Sequence, residues 1–245
     1  MAKPTIPDEA HAGTTPVTLP AHITLRRAQG AQRAAFLGLA GFLGIFGLVK
    51  AKRTQALDAA ITMRWQAVHH PLLSRIMAAV SWPGFPPQSR LIPPVLMVAL
   101  LVLRLPTEAC FQLLAWMTGA LSEGLKTLMK RPRPVAGTDL RVVAAPLGGT
   151  SFPSGHTITY LGTYGWLAYV IHTNLRPKWP RRILVGALAG LIAAVGPSRI
   201  YQGHHWPTDV AASYLLGLSY LLGLTSLYRW VKARGRNRAA ANESA

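Results

Sequence analysis

Carboxylates are scarce in this chain: against 26 Lys+Arg it has 8 Asp+Glu. They are Asp8, Glu9, Asp58, Glu108, Glu123, Asp139, Asp209 and Glu243. Hydrolases built on two divalent ions need several convergent carboxylates or histidines, and no such cluster can be drawn from this set. The expectation is chemistry without a metal or cofactor. Cys110 is the single cysteine, which excludes an intrachain disulfide and a thiolate metal cluster. Charge of either sign is thin as well, at 14% of residues, where soluble domains carry roughly 25%. No internal repeat and no long Gly/Ser linker divides the chain, so it reads as one unit.

Half of the residues are hydrophobic, and they fall into blocks. Uncharged stretches at 34–49, 91–103, 109–122, 155–175, 183–198 and 210–228 give six candidate membrane spans. The block at 91–103 is the shortest fit, with Pro93-Pro94 near its start. A cleaved leader is disfavoured for the first block, because Lys50, Lys52 and Arg53 follow where small residues are required. Residues 54–90 suit an interfacial helix followed by a Trp-Pro-Gly-Phe-Pro-Pro loop at 82–87, with nothing chemically diagnostic. The expected architecture is all-α: a disordered tail over 1–33, a six-span bundle with an interfacial helix between spans one and two over 34–232, and a C-terminal tail over 233–245. An even span count and basic ends place both termini in the cytoplasm.

Three segments put ionisable residues at the ends of apolar spans, where burial is expensive and marks function. The first runs from Lys126 to Pro134 and carries Lys130, Arg131 and Arg133. Arg133 offers a planar fork of donors to phosphate and Lys126 a compact charge; taken alone, this is also how cations snorkel at a helix end. The second is Gly148-Gly-Thr-Ser-Phe-Pro-Ser154-Gly155-His156, before the fourth span. Small residues and free amides at a helix start form an anion cradle, with His156 as a proton donor; an ordinary cap at Ser154 explains the same letters.

The third segment is Ser198-Arg199-Ile-Tyr-Gln-Gly-His204-His205-Trp-Pro-Thr-Asp209. On a helix His205 and Asp209 share a face, so the carboxylate can orient one imidazole nitrogen and free the other to attack. That spacing favours His205 over His204. A zinc site of His156, His204, His205 and Asp209 is the rival, opposed by the cations beside it.

Together the three segments resemble the type-2 phosphatidic acid phosphatase superfamily. Its first motif, Lys, six residues, Arg-Pro, falls on Lys126 and Arg133-Pro134. Pro-Ser-Gly-His falls on residues 153–156. Ser-Arg, five residues, His, three residues, Asp falls on Ser198, Arg199, His205 and Asp209, leaving His204 outside. The resemblance covers about residues 36–230. It implies that Lys126, Arg133 and Arg199, with the backbone around Ser154 and Gly155, hold a phosphate. It further implies that His205 attacks phosphorus, Asp209 supports the imidazole, and His156 protonates the leaving oxygen and then activates water.

The function expected is metal-independent hydrolysis of a lipid phosphate or diphosphate: phosphatidic acid, phosphatidylglycerophosphate, a polyprenyl diphosphate or a lipid A phosphate. The partners are the bilayer and a lipid with a phosphate headgroup, in a bacterial cytoplasmic (inner) membrane, with the site facing the periplasmic or extracellular side. The basic excess lacks the aromatic interleaving of a nucleic-acid surface. A non-catalytic phospholipid or phosphate transporter is the alternative, since buried cations also line conduction routes.

Overall fold

A computed structural model describes residues 21–134, 140–141 and 147–243, and these are helical or irregular with no strand among them. Residues 1–20 of the expected N-terminal tail, and 244–245 at the other end, lie outside the described residues. Among the described residues nine α-helices follow in order: α1 (Ala21–Lys50), α2 (Gln55–Gln66), α3 (Pro71–Ser81), α4 (Gln88–Val102), α5 (Pro106–Trp116), α6 (Thr118–Met129), α7 (Gly155–Asn174), α8 (Lys178–Tyr201) and α9 (Pro207–Glu243). A single 3-10 turn at Trp82–Gly84 joins α3 to α4.

Several boundaries differ from those expected. Helix α1 runs back to Ala21, through part of the stretch expected to be a tail, and α9 continues to Glu243. The block at 109–122 is two helices that break at Met117. Among the described residues three helical stretches, Gln29–Lys50, Lys178–Tyr201 and Pro207–Gly235, are long and apolar enough to cross a membrane. Pro71–Gly84 with Gln88–Val102, bent by 59°, makes a fourth if the pair counts as one. Their outward faces are apolar, with Phe36, Leu37, Val95, Val102 and Ile183 exposed. In water that would be costly; in lipid it is the expected surface.

The centre of the bundle is α7, which packs against α5, α6, α8 and α9, while α1 lies along α9. Two buried clusters flank α7. One gathers Phe111, Ala115, Trp166, Val170, Leu224 and Tyr228; the other gathers Phe42, Phe152, Ile158, Ala212 and Leu216. Lipid tails are as apolar as leucine, so helices in a membrane gain association energy from close packing over small residues. Gly162 illustrates this: a Cβ there would strike the Ala115 carbonyl and the Thr118 side chain. The break between α5 and α6 is thereby pressed against α7. Substituting Gly162→Val should force these helices apart and destabilise the fold by about 1–3 kcal/mol, read as a lower thermal midpoint in detergent.

Candidate active site

The end of α6 is set by backbone chemistry. Lys130 adopts the left-handed conformation (φ 49°) that closes a helix, and Pro132 and Pro134 lack the N–H that would continue it. The chain that leaves carries Arg131 and Arg133 across the starts of α7 and α9. Arg133 donates from Nε to the Gly148 carbonyl (3.2 Å) and from Nη1 to the His204 carbonyl (2.7 Å). Its Nη1 also lies 3.3 Å from His205 Nε2.

His205 is buried in the turn between α8 and α9, so it does not share a helix with Asp209. Its Nδ1 is 2.7 Å from the Ser151 carbonyl oxygen and 3.7 Å from Asp209 Oδ2. A carbonyl only accepts, so Nδ1 carries the proton in the neutral ring. The lone pair is then on Nε2, the nitrogen beside Arg133. Burial, followed by the nearby Arg199, Arg133 and Lys126 charges, holds this imidazole well below its usual pKa, and the Ser151 bond opposes them. Burial also lowers Arg133 from the usual guanidinium range, against the pull of Asp209 and Glu123.

Lys126, Arg133, Gly155, His156 and His205 line one cavity of about 360 Å³, which continues along Trp116, Thr159, Tyr160 and Ile92. Lys126 Nζ donates to Glu123 Oε1 at 2.6 Å, and a Cβ at Gly155 would come within 3.4 Å of the same nitrogen. His156 is the second residue of α7; its Nε2 is buried and has no hydrogen-bond partner among the described residues. Ser154 and Arg199 lie outside the cavity lining. The Ser154 amide donates to Ser213 Oγ (2.7 Å) and its hydroxyl accepts from Thr157. Arg199 is fully buried, with Nη2 2.5 Å from His204 Nδ1, Nη1 bonded to Gln202 Oε1, and Nε without a partner among the described residues.

Sequence reasoning passed over the turn at 82–87, and that turn covers the site. The Phe85 ring lies 4.8 Å from the Arg199 guanidinium carbon and 4.8 Å, edge-on, from the His156 ring. A Cβ at Gly84 would collide with the His156 imidazole. His204, outside the motif register, is buried and touches both arginines. Arg131 was visible only as one more cation; it bonds both Asp58 and Asp209 at 2.6 Å. Among the described residues, no three His, Cys, Asp or Glu side chains converge in a way that could hold a metal ion.

Such an end-of-bundle site, with cations and two histidines around one cavity at the mouths of apolar helices, is that of a membrane-embedded phosphoryl-handling protein. A family profile described as the PAP2 superfamily matches residues 107–235. The chain belongs to that superfamily and is an integral-membrane phosphatase. It is 30% identical over 184 residues to phosphatidylglycerophosphatase B of Bacillus subtilis (strain 168), covering 72% of this chain and 86% of that protein. It is 38% identical over 97 residues to the bacitracin transport permease protein BcrC of Bacillus licheniformis, covering 34% of this chain and 43% of that one. The crystal structure of the transmembrane PAP2-type phosphatidylglycerolphosphate phosphatase from Bacillus subtilis superposes with a TM-score of 0.70 at 22% identity, covering 80% of this chain and 96% of that one. Aquifex aeolicus LpxE superposes with a TM-score of 0.53 at 24% identity, over 69% and 95%.

The contact at Gly84 yields a test. Gly84→Ala should displace the His156 ring and lower turnover by about 10-fold or more, since small misplacements at a reacting centre are costly. The thermal midpoint should stay near that of the wild type, separating a displaced ring from a damaged fold.

Proposed function

We propose that the protein removes the terminal phosphate from a membrane lipid phosphate or diphosphate without a metal ion, through a phosphohistidine on His205. The observation that carries this reading is the Ser151 carbonyl on His205 Nδ1, which leaves the Nε2 lone pair beside Arg133. One support comes from a relative: phosphatidylglycerophosphatase B by name acts on phosphatidylglycerophosphate, and the crystal structure with the higher TM-score, that of a phosphatidylglycerolphosphate phosphatase, shares the fold. That lipid is the first substrate to offer, ahead of phosphatidic acid, a polyprenyl diphosphate and a lipid A phosphate.

In the proposed cycle Lys126, Arg133 and Arg199 hold the phosphoryl oxygens, with the Gly155 backbone close by. Arg199 reaches them when the headgroup displaces Phe85. His205 Nε2 attacks phosphorus and the bond from phosphorus to the lipid oxygen breaks. His156 gives its proton to that oxygen, and the lipid alcohol, or the lipid monophosphate in the case of a diphosphate, departs. Neutral His156 next takes a proton from water, the water oxygen attacks phosphorus, the P–N bond breaks and inorganic phosphate leaves. Asp209 balances the positive charge that the His205 ring carries between the two steps.

The same reading assigns six crossings to α1, α4 with the preceding bend, α5–α6, α7, α8 and α9, and lays α2 in the interface. The termini are cytoplasmic, and the site opens on the periplasmic or extracellular side of a bacterial inner membrane, where a headgroup enters while its chains stay in hydrocarbon. Tails over 1–33 and 233–245 flank the phosphatase domain in this scheme, joined to it by the ends of α1 and α9.

Purified protein should release phosphate from phosphatidylglycerophosphate in EDTA. His205→Ala should lower the rate by roughly 10³-fold or more, whereas His204→Ala should leave an acid-labile, base-stable phosphoenzyme detectable. Loss of turnover on EDTA addition alone would sink the metal-free mechanism.

The depressed pKa of His205 also sets a pH profile. Because burial, and after it the nearby cations, favour its neutral form, the acid limb of kcat/KM should lie below pH 6.5. Removing a cation with Lys126→Ala should raise the proton affinity of the ring and move that limb to higher pH. A limb that shifts downward would contradict the electrostatic account.

A further inference from the structure

Helix α2 lies outside the segment matched by the family profile, yet its one acidic residue reaches the start of α9. Asp58 is fully buried. Its Oδ1 accepts the Thr208 amide at 2.9 Å, and its Oδ2 accepts the Thr208 hydroxyl at 2.8 Å. Thr208 is the second residue of α9, so Asp58 satisfies one of the amides that a helix start leaves open, and does so from a different helix. Asp58 Oδ2 also pairs with Arg131 Nη2 at 2.6 Å, while Arg131 Nη1 pairs with Asp209 Oδ1 at 2.6 Å. The other oxygen of Asp209 accepts the Trp206 amide at 2.9 Å and faces His205 Nδ1 at 3.7 Å.

Charge gives this arrangement a purpose. Arg131 with Asp209 alone would be a neutral pair, and the carboxylate would have little to offer an imidazolium beside it. With Asp58 included, two carboxylates share one guanidinium and the group is one unit negative. That charge lies behind His205, on the side away from Lys126 and Arg133, where it opposes their repulsion of a positive ring. The hydrogen bonds fix direction as well: they hold the turn at 204–209, and with it the angle of the His205 ring.

We infer that Asp58, acting through Arg131 and Thr208, is a positioning residue for Asp209 and His205. It keeps the carboxylate group behind the nucleophile negative and the turn in place. Asp58 does not line the cavity, so it acts through its neighbours. The inference rests on the phosphohistidine reading above and adds a residue from outside the three motifs.

The test is steady-state phosphate release by the full chain in detergent, with thermal unfolding of each variant. Wild-type turnover is the control for the functional reading itself, so a defect confined to the variants isolates Asp58. Asp58→Asn keeps the shape and removes the charge. It should lower kcat by about 10–100-fold, leave KM within about twofold, and slow formation of acid-labile phosphoenzyme in a rapid quench. Asp58→Glu should recover part of the lost kcat. A wild-type kcat in Asp58→Asn, or a loss confined to KM, would overturn the assignment. Should Asp58→Asn not fold, Arg131→Lys decides: it keeps the charge but loses the two-sided fork. A selective fall in kcat supports the inference, and an unchanged kcat ends it.

Discussion

One guanidinium, that of Arg131, lies between two buried carboxylates from distant parts of the chain, and three elements meet on it. Asp58 comes from α2, Asp209 from α9, and Arg131 from the strap that leaves α6. Burying such charges is expensive, and deleting one partner of a buried pair typically costs about 3–5 kcal/mol because the other is left uncompensated. A chain with so few acids commits two of them here. The Arg131 ion pairs and the Trp206 indole bond to the Pro132 carbonyl seat the strap against α9, which in turn places Arg133 next to His205.

The cations differ in what they are tethered to, and the difference divides structural from substrate-facing charge. Arg131 is neutralised by carboxylates. Arg133 is held by two carbonyls, and Arg199 by a side-chain amide and an imidazole nitrogen. Neutral acceptors fix a guanidinium in space without cancelling its charge, so the positive field survives for an incoming oxyanion. Lys126 is the intermediate case: its partner Glu123 has a side chain 71% exposed, so the pair is screened by water and a phosphate can compete for the ammonium.

What could be read from the letters was what local spacing controls. Lys126, Arg133, His156 and His205 come from three separated segments and line one cavity. Arg199 and Ser154 lie behind that surface, a distinction of depth that spacing does not encode. The pairing of His205 with Asp209 four residues on looked like a helical face; Pro207 starts the helix after His205, and the Ser151 carbonyl takes the closer bond. Asp58 was illegible because its partners are 73 and 150 residues away. One signal was available: in a lipid-embedded chain an acidic residue inside an otherwise apolar stretch must find a cation or a donor. Phe85 and Gly84 gave no such warning, since a Trp-Pro-Gly-Phe-Pro-Pro turn reads the same whether it covers a site or faces solvent. Hydropathy is also blind to the turn at Met117 that divides α5 from α6, so the block at 109–122 reads from its letters as one uninterrupted stretch.

The far end of the bundle shows why the cavity can persist among packed helices. Tyr228 donates to Glu108 Oε1 at 2.6 Å and Lys232 pairs with the same oxygen at 3.0 Å, tying α5 to α9 amid Phe111, Trp166 and Tyr169. From Asp209 to Tyr228 the helix rises about 28 Å at ~1.5 Å per residue, so α9 is pinned by a buried carboxylate near each face of a bilayer-sized slab. Between the pins, α7 is pressed against α5 and α6 through Gly162 at mid-length, while small Gly119 and Gly155 keep the walls apart nearer the site. A bundle held only by uniform apolar packing would gain by closing such a space. Anchoring at both ends, with close contact at one glycine between them, lets the pocket stay open without loosening the helices that frame it.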